Sequence, residues 1–218
     1  MAADLASRVV RPEILDSLPA GDPDAVCSRN DLRRLDGFLG GSRWIVSAVR
    51  AHRAAAEAGI VELGAGDGRL CSALALESGG CRITGLDLAP PPTGLDRGVH
   101  WRSGNFFQTL PGTTGSIAVG NLILHHFEPP ALRVLGEMLR PFRGLIFSEP
   151  LRHPLPLLLS WFAGPFVGAV TRHDMPASIR AGFVPGEIAV QLGLDAKVWR
   201  ISESSRLRGV VRFMAWRD

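Results

Sequence analysis

The 218-residue chain has little cysteine, almost no lysine and no long apolar run. Its three cysteines, Cys27, Cys71 and Cys81, stand alone at spacings that suit no metal site. An odd, scattered count builds no disulfide framework either, so a reducing cytoplasm is the expected compartment and no metal is expected. Lysine occurs once, at Lys197, and the basic side is otherwise arginine, a bias of GC-rich coding that points to a bacterial source. The formal net charge is only +3 and the arginines are spread along the chain. That distribution lacks the basic stripe of a nucleic-acid surface, and no nucleic-acid partner is expected. The nearest approach, "RISESSRLRGVVR" at 200–212, alternates like a strand and reads as a solvated edge. The longest apolar run, "PLPLLLSWFAGPFVGAV" at 154–170, is broken by Pro156 and Pro165 and falls short of the roughly 20 residues of a membrane span. The first residues carry Asp4 early and no continuous apolar core, so no secretory leader is expected.

What is present is the composition of a globular domain, 46% hydrophobic and 21% charged, long enough to bury a substantial core. Residues 1–28 have no periodicity and read as a loose arm or short helix. Leu32, Leu35, Phe38 and Leu39, then Ile45, Val46 and Val49, follow helical spacing. Gly40-Gly41 breaks the pattern and Ser42 is placed to cap the second helix. Beyond residue 58, short apolar runs alternate with helical stretches: "GIVEL", "CRITGLD", "VHWRS", "GSIAVGNLILHHF" and "RGLIFSEP" read as strands. Such alternation implies parallel βαβ units with helices on both faces. The tail, "DAKVWRIS" and "LRGVVRFMAWR", reads as an antiparallel strand pair at the sheet edge. The expected fold is therefore α/β, a doubly wound, mostly parallel sheet with an antiparallel edge pair. A helical extension over 1–55 precedes the main domain at 56–218.

At the end of the first strand stands "GIVELGAGDGRL", residues 59–70. Glycines at 64, 66 and 68 free the backbone for positive φ and let a ligand approach without meeting a Cβ. The dinucleotide fingerprint G-x-G-x-x-G would put its third glycine at Arg69, so this is not a nicotinamide loop. The run resembles motif I of the class I S-adenosylmethionine (AdoMet) methyltransferases, E/D-x-G-x-G-x-G, here Glu62-Leu63-Gly64-Ala65-Gly66-Asp67-Gly68. The second strand agrees, because "GLDLAP" places Asp87 19 residues after Gly68.

The resemblance spans about 56–150 and implies a seven-stranded Rossmann-like sheet with AdoMet as cofactor. Glu62 would accommodate the cationic amino-acid end, while Gly64, Ala65, Gly66 and Gly68 pass beneath the methionine and ribose. Asp87 would take the ribose hydroxyls with Leu88 beside it. "RSGNFFQTLP" puts Asn105 and Phe106 at the adenine station, where the family usually carries an acid; the amide oxygen of Asn105 still accepts. "IAVGNLILHHF" matches motif IV, the fourth strand, with Asn121 at the end that lies beside the transferring methyl. Fainter likeness on both sides, in "DLRRLDGFLGG" and "RHDMPASIRAGFVPGEI", is to bacterial quinone-biosynthesis methyltransferases.

A sulfonium cofactor carries its own reactivity, so the protein has to orient a nucleophile and, for an oxygen nucleophile, remove a proton. His125 and His126 are the candidate bases. Strand alternation would send them to opposite faces, leaving at most one at the methyl; the bland alternative is that both pack against the next helix. His153 and His173 are alternates, and Glu149 ends the fifth strand nearby. The N/D-P-P-Y/F signature of amide and nucleobase-nitrogen methylation is replaced by "GNLILHHF". The expected acceptor is a small, partly hydrophobic molecule methylated on oxygen or carbon. Within the insert 151–195, the stretch 154–170 is apolar all round, which fits either a lid over the pocket or a helix buried on several sides. An RNA or protein methyltransferase, and a non-catalytic AdoMet-binding protein, are the competing readings.

Overall fold

Seven strands form one sheet in the order β3-β2-β1-β4-β5-β7-β6. They are β1 Ile60–Leu63, β2 Ile83–Asp87, β3 Val99–Ser103, β4 Ile117–Asn121, β5 Gly144–Pro150, β6 Arg200–Arg206 and β7 Val210–Trp216. The first five are parallel; β7 runs antiparallel to β5 and β6 antiparallel to β7. The computed structural model describes residues 5–19, 21–206 and 209–217, so Asp4 and part of the turn joining β6 to β7 lie outside the described residues.

Burial on both faces explains why β1, β4 and β5 read as continuous apolar runs, not as alternating ones. One face carries α5 (Phe106–Thr109), α6 (Pro129–Leu139) and α9 (Glu187–Leu192), which close over Val61, Leu63, Ala118 and Phe147. The other carries α3 (Gly41–Ala51) and α4 (Arg69–Glu77), whose Ile45, Val49, Cys71 and Leu74 cover Ile60, Ile117 and Ile146. From β1 the chain builds outward through β2 and β3, then returns to the other side of β1 for β4. Strand order therefore reverses at β1, and the crevice at the carboxyl ends of β1 and β4 is where such sheets bind ligands.

Three local expectations need correction. The first long helix, α2 (Pro23–Leu39), starts well before Leu32 and takes in part of the segment 1–28 read as a loose arm or short helix. Asp22 Oδ1 accepts from the backbone N–H of Asp24 at 2.8 Å, and Pro23 fits the first helical position. Ser42 does not cap α3; the cap position is Gly40, and Asp36 Oδ1, at the end of α2, accepts from Ser42 N at 3.1 Å. Finally, β4 stops at Asn121. Leu122 turns the chain with φ 59°, so strand alternation never reaches the two histidines, which sit in a 3-10 turn, Leu124–His126.

The insert folds as α7 (Pro154–Ala163) and α8 (Ala169–Ala181). Pro156, Leu157 and Ser160 of α7 are buried, but its outer face is open: Trp161 is 64% exposed, Phe162 68% and, just beyond, Phe166 83%. The apolar stretch is thus not buried on several sides, because α8 covers only one side of it. Among the described residues no helix is long and apolar enough to cross a membrane. The N-terminal segment is fastened to α8. Asp174 accepts from Ile14 N and Leu15 N, both at 3.0 Å, at the start of α1 (Ile14–Ser17). Buried Asp31 accepts from Gly168 N at 2.7 Å and Thr171 Oγ1 at 3.1 Å, joining α2 to α8.

Candidate active site

The loop between β1 and α4 is held in left-handed backbone at Gly64 (φ 65°), Gly66 (φ 53°) and Gly68 (φ 70°), a conformation that glycine adopts without Cβ strain. Ala65 N donates to Leu86 O at 3.1 Å, which ties the loop to β2. Asp87, at the end of β2, reaches back: its Oδ2 accepts from Gly66 N at 2.7 Å and its Oδ1 from Ala89 N at 2.9 Å. The two sequence signals therefore meet in space. Space above the loop is uneven. A Cβ built on Gly64 would collide with Ile123 Cδ1 at 2.5 Å and one on Gly68 with Leu95 Cδ1 at 2.5 Å, whereas one on Gly66 meets nothing closer than 4.0 Å. The open notch over the loop is at Gly66.

Glu62 lies on the α4 face of β1, buried, and its Oε2 has no hydrogen-bond partner among the described residues. Burial pushes its carboxyl up to about 8; the hydrogen bond to Cys71 opposes this, while the charges of Asp67 and Asp87 add to it. The Cys71 thiol is pushed up in turn, first by burial and then by Glu62. A carboxyl oxygen left without a partner in a dry site is costly unless something cationic or hydrogen-bonding meets it.

The remaining expected cofactor residues are arranged around this centre. Asn105 caps α5, its Oδ1 accepting from Phe107 N at 2.9 Å, so the oxygen expected for a ligand already serves the helix. Phe106 is buried and stacks on Phe107 with centroids 4.9 Å apart. Leu88 is exposed at the rim. Asn121 Nδ2 donates to Asp36 Oδ1 at 3.0 Å, and its Oδ1 is buried without a partner among the described residues. On the outer side of the loop, Arg33 of α2 pairs with Asp67 at 2.7 Å. An open groove of about 430 Å3 runs there between Arg33, Ser72 and Leu95, and a larger one of about 610 Å3 lies at the far end of α4 near Arg82 and His100. The larger groove is remote from the glycine loop.

The histidine turn is organised by Glu149, the fully buried acid at the end of β5. Its Oε1 accepts from Ile123 N at 3.0 Å and Leu124 N at 2.9 Å, and its Oε2 from His125 N at 3.2 Å and His125 Nδ1 at 2.9 Å. On the other side, His125 Nε2 lies 3.5 Å from Glu13 Oε1. Burial alone would lower the His125 pKa, but the carboxylates of Glu13 and Glu149 outweigh it and raise it to about 9. His126 Nδ1 is 3.3 Å from Asp16 Oδ2, and the two imidazole centroids are 4.2 Å apart. The histidines thus share one side of the turn. Glu13 and Asp16 were missed in the sequence because they sit far upstream in a segment without periodicity. His153 caps α7 and His173 pairs with Asp174; neither is brought to the turn.

No protein-family model and no curated protein matches the sequence. Solved structures do. The plantazolicin methyltransferase BpumL, crystallised with a triazolic desmethylPZN analogue and SAH, is similar over 94% of this chain and 93% of its own, with a TM-score of 0.71 and 10% identity. The chain has the fold of the class I methyltransferases. An O-methyltransferase family protein from Burkholderia thailandensis matches 100% of the chain and 67% of its own, at TM-score 0.61 and 16% identity. Human N-acetylserotonin methyltransferase in complex with SAM matches 93% of the chain at TM-score 0.58 and 16% identity, and the chain spans 61% of the human protein. Within the methyltransferase fold, the glycine loop, Asp87 and the histidine turn stand at the carboxyl ends of β1, β2 and β4.

Proposed function

We propose that the protein is an AdoMet-dependent methyltransferase acting on a small, partly hydrophobic acceptor by O- or C-methylation. The observation that carries this reading is the joint geometry of Glu62, Gly66 and Asp87. A notch in the loop that opens at Gly66, an acid bonded to that same glycine and a buried carboxyl with one unpartnered oxygen suit a ligand with a ribose at one end and an ammonium at the other. When bound, AdoMet supplies the electrophilic methyl group.

This chain's residues then have four tasks. Asp87 holds the sugar hydroxyls while keeping the loop closed. Glu62 ionises against the ammonium, which replaces the partner it lacks. Ile123 and the Phe106, Phe107 and Phe127 cluster provide apolar walls. For a hydroxyl acceptor, the proton falls to His126, since both ring nitrogens of His125 already face carboxylates. The insert 151–195 is the acceptor-binding element in this reading, with α1 and α2 of the N-terminal extension packed on its α8. Its open Trp161 and Phe162 favour apolar acceptors and supply the wall of a lid. The Burkholderia thailandensis neighbour is an O-methyltransferase family protein, which supports an oxygen acceptor.

Calorimetric titration with AdoMet and S-adenosylhomocysteine tests the reading. Binding of both at micromolar concentration is the expected outcome; silence with both overturns it.

A further inference from the structure

We propose that Glu13, His125 and His126 form a binding site for one divalent transition-metal ion, with Zn2+ as the best match. Their ligand atoms lie within 4.8 Å of one another at the junction of the N-terminal segment and the turn after β4. Methyl transfer is not a premise of this inference; only the use to which the ion is put rests on the proposed function.

Four observations converge. First, each imidazole already has a carboxylate on Nδ1, Glu149 at 2.9 Å for His125 and Asp16 at 3.3 Å for His126. A carboxylate in that position holds the Nδ1 proton and turns Nε2 toward the ion, the outer-sphere pattern of protein metal sites. At His125 the proton held between Nε2 and Glu13 leaves to solvent as the ion enters. Second, His125 Nε2 and Glu13 Oε1 are 3.5 Å apart. That is long for a hydrogen bond. It is close to the separation of about 3.3 to 3.4 Å between two ligands each about 2.0 to 2.1 Å from a tetrahedral zinc. Third, Glu13 is held in place before any ion arrives. Ser178 Oγ donates to its carboxylate, and Asp174 fastens the next two backbone N–H groups, Ile14 and Leu15, each at 3.0 Å. Fourth, the set is shielded. The side chains of His125 and Glu13 are 4% and 12% exposed, so little water competes for the ion.

The donor set selects the ion. Two imidazoles and one carboxylate suit Zn2+ and its neighbours Co2+, Ni2+ and Fe2+, whereas Mg2+ and Ca2+ prefer oxygen throughout. Three protein ligands leave a fourth position open, as in zinc sites that bind a water or a substrate oxygen. The turn also carries Ile123, which covers Gly64, so the three ligands stand at the same end of the sheet as the glycine loop. In the ion-free protein His126 is the proton acceptor; with the ion bound it is a ligand, and an acceptor hydroxyl on the fourth position is acidified by the metal instead.

The test uses the full chain after chelator treatment. It is dialysed against ZnCl2 and then buffer, with metal content read by plasma mass spectrometry and affinity by a competing chromophoric chelator. One equivalent of zinc per chain is expected, with a rise in Tm, and MgCl2 should change neither reading. Glu13→Gln and His126→Asn should each weaken binding by well over tenfold, and Asp16→Asn by about tenfold through the outer sphere. Circular dichroism establishes that each variant is folded; His125 is left intact because it is buried. Substoichiometric zinc, or binding unchanged in both ligand variants, overturns the site. Zinc retained by a protein that ignores AdoMet would sink the methyltransferase reading and leave the metal site standing; the converse result would do the reverse.

Discussion

Glu149 Oε2 lies 2.9 Å from His125 Nδ1, and the same carboxylate also gathers the backbone N–H groups of residues 123, 124 and 125. One side chain at the end of β5 thus holds the whole turn that follows β4. Glu149→Gln keeps the shape but loses the charge and one accepting oxygen, and turns an NH2 group toward backbone donors. Breaking a buried charged network of this kind costs about 3 kcal/mol. A fall in the urea midpoint with an unchanged slope is expected. A loss below about 1 kcal/mol, the worth of an ordinary hydrogen bond, would show that the carboxylate does not hold the turn.

Glu62 gives the protein a signed dependence on pH. Its carboxyl titrates near 4.5 when unfolded and about 8 when folded, so between those values the native state keeps a proton that the unfolded chain has released. Stability therefore falls as pH rises through that window. Glu62→Gln should flatten the decline of Tm between pH 6 and 8. If AdoMet sets its ammonium against this carboxyl, binding at pH 7 releases the proton, and the calorimetric heat will vary with the ionisation enthalpy of the buffer.

The glycine loop separates folding from binding. Gly66→Ala has room for its methyl group and bears only the strain of a left-handed alanine, roughly 1 to 2 kcal/mol, yet it fills the notch. Loss of AdoMet affinity in a folded protein is expected. Gly64→Ala instead drives its Cβ into Ile123 and should lower Tm sharply. Asp87→Ala removes charged hydrogen bonds and should weaken AdoMet by about 10- to 100-fold. Equal stability losses for both glycine variants, with binding intact in Gly66→Ala, would refute this division.

On α7, Trp161 and Phe162 project outward, so Trp161→Ala with Phe162→Ala should change stability by no more than about 0.5 kcal/mol each. If the insert receives the acceptor, labelled-methyl transfer to phenolic or quinol acceptors should drop while any transfer to polar amines stays unchanged. Unchanged turnover of every acceptor would remove α7 from the acceptor site.

Much of the sheet was legible, because a strand buried on both faces must be apolar and the Gly64–Gly68 spacing has few uses. The pairing of Asp87 with the loop was legible for the same reason: strand ends are fixed by the βαβ repeat. The histidine turn was not. Alternation was extended past Asn121 because nothing in "NLILHH" shows that a leucine will take φ 59°; that is decided by Glu149, which lies on the next strand. The role of Glu13 was hidden likewise, since contacts made by an aperiodic arm leave no spacing to read. The outward face of α7 misled differently, because hydrophobicity records what a surface prefers and not whether anything covers it.

Leu122 carries a consequence for how mutations at this turn combine. A leucine in left-handed backbone stores roughly 1 to 2 kcal/mol of strain; Leu122 N donates to Ser148 O at 2.8 Å, and the bonds of the next two residues to Glu149 help keep it there. Positions 122 and 149 should therefore behave as a non-additive pair in a thermodynamic cycle. Leu122→Gly releases the strain, so in the Glu149→Gln background it should restore part of the lost stability; alone it should cost less than removing a half-buried leucine ordinarily does. The turn is in this sense a loaded spring with Glu149 as its catch, and the coupling energy measures how far it is wound.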